Sequence, residues 1–354
     1  MKTKSKDEKY CGVDSKKIRT SSPEYDVENL NLLMRFIKGR YLVHIRKDIK
    51  NLPAPWVKDK VLQNYRFTNV RREDDKVTRA LINLVSTNDS IDLEEKVLNT
   101  FLFRSWNNPD TFTDFGGPWS KSSIYSPERL KEESRIIYYN IIKNEPERRF
   151  WSAAYNQGGT KHAWKFPDGD GYQRAYSEKK ARKYPDWEKD IPLRVFHIGP
   201  WLKQKNTFEK LMTSKNQIEA FKTIKEIRGF ADFLAYQVFV DLTYIDEFPF
   251  SENEFTIAGP GCKKGLDKLF TDRNGLSYEE CLFWLRDNWE TLQEEVDERY
   301  RVYPEKLFRR LPEYDQCMNV MSLENCFCEF SKYHRTIKGL GRPKQRYNGG
   351  RKNG

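Results

Sequence analysis

No stretch of this 354-residue chain approaches the roughly 18 consecutive apolar residues of a membrane-spanning helix. The start, Met-Lys-Thr-Lys-Ser-Lys, has no apolar core of a signal peptide, so a soluble, intracellular protein is expected. Cysteine is scarce and scattered. Cys11, Cys262, Cys281, Cys317, Cys326 and Cys328 form no CxxC pair, and none joins a histidine at zinc-finger spacing. The thiols are therefore read as reduced and structural. His44, His162, His197 and His334 share no metal-ligand spacing, and no metal site is expected. The absence of a Gly-x-Ser-x-Gly elbow and of His-x-Glu with a downstream cysteine pair excludes serine hydrolases and zinc deaminases. A Walker A loop is also missing, because Gly265 is followed by Leu266 where Lys-Ser/Thr is required.

What is present is charge and aromatic bulk. Hydrophobic residues make up 38%, with 9 Trp, 19 Tyr and 22 Phe, enough to bury one large core or two modest ones although 32% of residues are charged. Lys and Arg number 63 against 52 Asp and Glu, a formal charge of +11. That excess favours a polyanionic partner, since each phosphate neutralised releases counterions. A solvated basic surface without a ligand is the alternative.

Residues 1–25 are polar and read as a flexible arm, and residues 338–354 as a basic, Gly-rich flexible tail. Between them the dominant period is helical. Leu30, Leu33, Phe36, Ile37 and Tyr41 fall on one face, Leu81, Leu84 and Val85 on another, and Val97, Phe101 and Leu102 on a third. Helical signal returns over 208–227, 230–244, 278–296 and 324–336. Residues 111–205 hold Gly116-Gly117-Pro118, Gly158-Gly159 and Pro167-Asp168-Gly169-Asp170-Gly171, and read as loops with short helices or strands. The expectation is a mainly α fold. Residues 26–337 would form one catalytic region with helical lobes at roughly 26–110 and 206–337 around a groove, and an irregular insertion at 111–205.

Several strings place ionic groups beside apolar ones. In Ile227-Arg228-Gly229-Phe230-Ala231-Asp232 a glycine turn joins two helical patterns, the layout of a helix-hairpin-helix that aims backbone N–H groups at a DNA phosphate. A structural helix–helix turn is the other reading. Gly259-Pro260-Gly261-Cys262-Lys263-Lys264 reads as a backbone nest for phosphate. Arg71, Arg72 and Arg79 interleave with Asp74 and Asp75. Asp75 and Arg79 stand at i and i+4, so either a helical ion pair or a guanidinium clamp on phosphate oxygens accounts for them. Glu329 with Lys332 and Arg335 carries the same two readings.

Taken in order, Pro55-Trp56, the Arg66-Phe67-Thr68-Asn69 to Arg79 string, Phe101-Leu102-Phe103-Arg104, Gly229-Phe230 through Asp241-Leu242, Gly259-Pro260-Gly261, and Cys328-Glu329-Phe330 with Lys332-Tyr333 resemble the alpha-glutamyl/putrescinyl thymine pyrophosphorylase family. That family is similar to the helical domain of 5-hydroxymethyluracil DNA kinases, and both look like relatives of helix-hairpin-helix DNA glycosylases. The resemblance implies a glycosylase-like helical fold and a step in thymine hypermodification of viral DNA. A glutamate- or putrescine-type amine would displace pyrophosphate from 5-pyrophosphoryloxymethyluracil in double-stranded DNA, after an upstream kinase has pyrophosphorylated the base. The setting would be the host cytoplasm of an infected cell, or the nucleus if the host is eukaryotic, with no membrane partner. No cofactor is expected, apart from Mg2+ if the pyrophosphate brings one. Asp74, Asp241 and Glu329 are the candidate bases, and Arg71 and Arg72 the candidate stabilisers of the leaving group. Asn69, Arg79, Arg104, Gly229, Gly259, Gly261, Lys263, Lys264, Lys332, Tyr333 and Arg335 are the candidate substrate and DNA contacts. A base glycosylase, with its carboxylate near Glu252 or Glu254, is the second reading, and a non-catalytic DNA-binding protein the third.

Overall fold

The computed structural model describes residues 21–146, 148, 150, 194–227, 229–300, 318–343 and 345–347. Contacts divide the chain into two compact units, Met1–Asp75 with Ser251–Gly354, and Lys76–Phe250. The expectation of a mainly α fold holds: among the described residues the only sheet is the two-stranded pair β1 (Glu24–Tyr25) and β2 (Phe270–Asp272).

The first unit begins with β1 and helix α1, Val27–Val43, whose N-terminus is fixed by Asp26 accepting from the Asn29 N–H. The chain then passes through a π-helical turn, His44–Ile49, and α2, Lys60–Asn64. A 3-10 turn, Arg72–Asp74, leads to the boundary. After the second unit the chain returns with α12, Pro260–Leu269, then β2, α13 (Tyr278–Asp287), α14 (Trp289–Tyr300) and α15 (Val320–Ile337). Phe36 of α1 centres this core. Its ring lies 5.4 Å from Phe67 and 5.1 Å from Tyr333, with Phe330 behind. Burying one such side chain is worth roughly 1.5–3 kcal/mol. Helix α12 crosses α15 at very short range. A Cβ on Gly265 would lie 2.2 Å from the Phe327 carbonyl oxygen, and one on Gly261 3.0 Å from Cys328 Sγ, so only hydrogen fits there without displacement.

The second unit contains α3 (Lys76–Leu81), α4 (Leu93–Trp106), α5 (Pro109–Asp114), α6 (Lys121–Ile124), α7 (Pro127–Asn144), α8 (Arg194–Gln204), α9 (Thr207–Met212), α10 (Gln217–Lys225) and α11 (Asp232–Leu242). Helix α4 starts in a full capping box of Asp92 and Glu95 and stops at Asn107, left-handed at φ 48°. Its Phe101 ring meets Phe230 at 5.3 Å, so α4 belongs with the residues around it in this unit, and the division falls at 75/76 and 250/251 rather than near 110 and 206.

Two local readings change. The stretch after residue 111 is not short pieces throughout, because α7 runs for 18 residues. Its buried positions Leu130, Ser134 and Tyr138 keep helical spacing, but the serine interrupts the apolar stripe while Ile136 and Tyr139 face outward. The Gly158-Gly159 and Pro167–Gly171 strings lie outside the described residues, as does residues 1–20 of the polar arm. The basic tail is held at its described end: Arg346 bridges Tyr65, the Arg66 N–H donates to the Gln345 carbonyl (3.1 Å), and the Tyr347 ring packs on Trp56 at 4.9 Å. No helix of the described residues is long and apolar enough to cross a membrane.

Candidate active site

Within the first unit, one face of α15 gathers buried ionic groups around the segment 67–75. Glu324, Asn325, Cys328, Glu329 and Lys332 follow one another at helical spacing. Asn325 staples the segment, donating from Nδ2 to the Asn69 carbonyl (3.0 Å) while its Oδ1 accepts from Thr68 Oγ1 (3.3 Å). Arg40, on the opposite side of the segment, donates from Nε to the Phe67 and Thr68 carbonyls (both 3.0 Å) and from Nη2 to Asn69 Oδ1. Its Nη1 is buried with no hydrogen-bond partner among the described residues. Asn69 Nδ2 donates to the Asp74 carbonyl (2.8 Å), and its main-chain N–H to Asp75 Oδ1 (2.9 Å). Residues 67–75 are thus folded into a tight loop held by Arg40, Asn69 and Asn325.

Asp75 is the electrostatic centre of this loop. Burial pushes its carboxyl up to about 6, against the Asn69 N–H and the attraction of Arg72 and Arg40. Glu324 is raised too, by burial, although it accepts from the Gly259 N–H (3.2 Å) and from Cys328 Sγ (3.5 Å) and is attracted by Arg72. Arg72, itself buried, therefore faces two carboxyls that ionise reluctantly. Glu329 is buried and paired with the half-exposed Lys332 (2.6 Å). Burial pushes the Cys328 and Cys326 thiols well up and Cys281 up to about 11, so these sulfurs stay protonated and serve as packing groups, not nucleophiles. Among the described residues, no three histidine, cysteine or carboxylate side chains are grouped to hold a metal ion. A shallow depression beside β2, lined by Asp272, Arg273 and Leu276, includes none of these residues.

A family model described as the 5-hmdU DNA kinase, helical domain, matches residues 27–340. The chain belongs to this helical-domain family. A curated relative, the 5-hmdU DNA kinase of Bacillus phage SP10, is 27% identical over 366 residues, covering 97% of this chain and 52% of the phage protein. The chain spans about half the length of that relative. No solved structure matches it.

In this helical-domain chain, the residues singled out by sequence divide by unit. Asn69, Arg72, Glu329 and Lys332 come together in the cluster, with Gly259 and Gly261 at its edge. Asp74 stands beside it but is engaged elsewhere, its Oδ1 3.6 Å from His44 Nε2. The Arg71 guanidinium lies over the Tyr41 ring at 5.9 Å. Gly259 and Gly261 do not form a nest: Gly259 is extended at φ −67°, ψ 167°, Pro260 opens α12, and the glycines admit Glu324 and Cys328 instead of an anion. A second carboxylate, Glu279, accepts from the Ala258 N–H (3.0 Å), so acidic side chains occupy the start of α12. Lys263 and Lys264 are exposed, the former 5.4 Å from the Tyr278 ring centre. Tyr333 is fully buried and donates to Asp59 Oδ2 (2.6 Å), and Arg335 is exposed.

In the other unit Arg104 and Asp241 bind each other, Nε to Oδ2 at 2.5 Å and Nη2 to Oδ1 at 2.6 Å, with Arg104 Nη1 on Asn107 Oδ1 (2.7 Å). Both are essentially inaccessible. Arg79 is exposed. Asp75 precedes its helix in extended conformation and bonds the Asn69 N–H, which replaces the i, i+4 pair read from spacing. Gly229 adopts φ 94° in a tight turn between α10 and α11, and Asp232 at the start of α11 pairs with Lys225. Arg40 and Glu324 are cluster members that the sequence did not single out, and Asp75 was read there only beside the arginines, as an ion-pair partner of Arg79. The mid-helix Gly39 beside Arg40 was the available signal, since its Cβ would meet Leu62 Cδ1 at 2.5 Å.

Proposed function

We propose that the chain acts in thymine hypermodification of phage DNA, where an amine displaces pyrophosphate from 5-pyrophosphoryloxymethyluracil to give an N-substituted thymine. The observation that carries this reading is the cluster itself: a carboxyl raised to about 6, Asp75, beside the buried guanidiniums of Arg72 and Arg40. In the step, the amine nitrogen bonds to the 5-methylene carbon. The C–O bond breaks with its electron pair leaving on pyrophosphate, and the surplus ammonium proton passes to a carboxylate. An α-amine with a pKa near 8, or a side-chain amine near 10.4, is mostly protonated at neutral pH, so a carboxylate within reach is needed to free its lone pair. Asp75 fills that role better than Asp74, which His44 engages, or Asp241, which Arg104 neutralises. Arg72 and Arg40, with Lys332 at the exposed rim, stabilise charge developing on the leaving group.

The DNA substrate rests on the SP10 relative's name, on the +11 charge and on the Gly229 turn, which we read as a phosphate-binding hairpin. The partner enzyme is the kinase that supplies the pyrophosphorylated base, and the setting is the infected host cell. Residues 1–354 contain no Walker A loop, so displacement rather than ATP-driven phosphorylation is the chemistry assigned to them. A base glycosylase would need its carboxylate near Glu252, which is buried and accepts from Asn319 Nδ2 (3.2 Å). The deciding experiment incubates the protein with DNA carrying 5-pyrophosphoryloxymethyluracil and glutamate or putrescine. Pyrophosphate release with a mass-shifted thymidine and an intact sugar–base bond is expected. Abasic sites without amine incorporation would overturn the reading in favour of a glycosylase.

A further inference from the structure

Helix α1 ends in a loop that presents apolar side chains to solvent amid cations. Ile49 and Leu52 are 54% and 46% exposed, and every residue from Lys50 to Pro55 is exposed. The loop is nonetheless rigidly tied. The Lys50 N–H donates to the Ile45 carbonyl (2.9 Å), the Leu52 N–H to the Arg46 carbonyl (2.8 Å), Trp56 Nε1 to the Leu52 carbonyl (2.8 Å), and Arg46 Nη1 to the Trp56 carbonyl (2.5 Å). Trp56 is clamped from outside by Tyr347, and Lys47 lies about equally far from both rings, at 6.0 and 5.9 Å. A loop braced at both ends and through its middle holds Leu52 and Ile49 out against the hydrophobic effect, which would otherwise fold them inward.

The exposed charged side chains around the loop are cationic. Lys50 on the loop, Lys58 and Lys60 before and at the start of α2, and Arg66 and Arg346 at the isolated Tyr65–Arg346 bridge are exposed. The two nearby carboxylates are spent internally: Asp48 bonds His44 and Lys47, and Asp59 caps α2 and accepts from Tyr333. Two aliphatic side chains are too little apolar area for a stable protein interface of about 800 Å² per partner. They do match the small apolar wedges that basic proteins insert into a DNA groove. The same chain segment runs on through Arg66 to the Asn69–Asp75 loop, which ties this surface to the cluster.

We propose that the Ile49–Trp56 loop is a duplex-DNA contact: the surrounding lysines and arginines bind phosphates of the backbone, and Leu52, flanked by Ile49, enters the groove. The inference rests on the DNA reading above and adds to it the surface and the wedge residue. Its test needs no catalysis. Binding of the full chain to a fluorescein-labelled, unmodified thymine-containing duplex is followed by anisotropy across a salt series, with a second duplex carrying 2-aminopurine to report unstacking.

Leu52→Ser keeps the main-chain bonds that brace the loop. It should weaken binding roughly tenfold, the scale of one buried leucine, leave the salt slope unchanged and abolish the 2-aminopurine brightening seen with the parent. Lys50→Glu with Lys60→Glu should reduce the log–log salt slope by about 2. If the parent binds duplex and both variants, folded by circular dichroism, match its affinity and slope, the loop assignment is overturned while the DNA reading stands. If the parent binds no duplex, or binds acidic phosphatidylserine vesicles in its place, the DNA reading falls and the loop assignment with it. Should Leu52→Ser fail to fold, the lysine pair alone decides, an unchanged slope counting against the loop.

Discussion

The imidazole of His44 sits between two carboxylates, Nε2 3.6 Å from Asp74 Oδ1 and Nδ1 3.1 Å from Asp48 Oδ2, and so joins the turn that ends α1 to the turn that carries Arg72. A neutral ring has one N–H and satisfies one acid; the imidazolium satisfies both. Burial alone would lower the His44 pKa, but the hydrogen bonds and charges of Asp74 and Asp48 outweigh it, and the net shift is upward from 6.5. Burial would raise the Asp48 carboxyl, but hydrogen bonds from Lys47 and His44 and the charges of Lys47 and Arg40 hold it below its ordinary value, and Arg71 lies over the neighbouring Tyr41 ring.

A histidine whose folded pKa is raised gives stability that is full below its unfolded pKa and is lost as pH rises through the folded value. His44→Gln should therefore lower the melting temperature clearly at about pH 5.5 and much less at about pH 9. Thermal unfolding followed by circular dichroism across that range checks this. An equal loss at both ends would mean that His44 acts by packing alone.

The Arg104–Asp241 pair predicts a purely structural phenotype. Both side chains are buried, and removing one partner strands the other charge, so Asp241→Ala should cost about 3–5 kcal/mol of stability. Urea unfolding of the purified variant measures it. A variant of normal stability that has lost amine transfer would instead return Asp241 to the list of catalytic bases.

Close helix crossing accounts for Gly261 and Gly265 of α12, and this too has a direction. Gly265→Ala places a methyl 2.2 Å from the Phe327 carbonyl oxygen, whereas Gly261→Ala meets the Cys328 sulfur at 3.0 Å. Backbone gives way less readily than a side-chain tip, so Gly265→Ala should lose about 1–3 kcal/mol and Gly261→Ala distinctly less. Denaturation midpoints of the two variants, side by side, test the order.

How far these features were legible in the sequence follows from what each depends on. Helices α1, α4 and α15 were readable because the apolar members of their buried faces recur with the helical period. In α7 the buried Ser134 hid the stripe. The cluster was half visible: Asn69, Arg72, Glu329 and Lys332 stand in strings where charge crowds against aromatic residues. Arg40 and Glu324 sit inside mostly apolar helices, and their burial arises only when α1 and α15 close on the 67–75 segment. The Gly259–Gly265 stretch shows the opposite difficulty. A glycine needed for close helix approach and one needed for a phosphate nest look alike until the second helix is in place.

Asp75 offers the sharpest test of the proposed chemistry. A general base must be ionised to accept the ammonium proton, so with a carboxyl near 6 the value of kcat/KM should rise with pH through about 6 and then level. Asp75→Asn preserves size but cannot take the proton. It should lower the plateau by roughly 100-fold or more and remove the limb near 6. Arg72→Ala should also slow turnover about 100-fold or more, through the leaving group, yet keep a limb, shifted upward because a cation that favours the Asp75 carboxylate is gone. Pyrophosphate release from 5-pyrophosphoryloxymethyluracil DNA, followed across pH for the parent and both variants, separates these roles. If Asp75 only braces the Asn69 N–H, Asp75→Asn will lose thermal stability while the pH limb stays where it was, and the base must then be sought in Glu324 or Glu329.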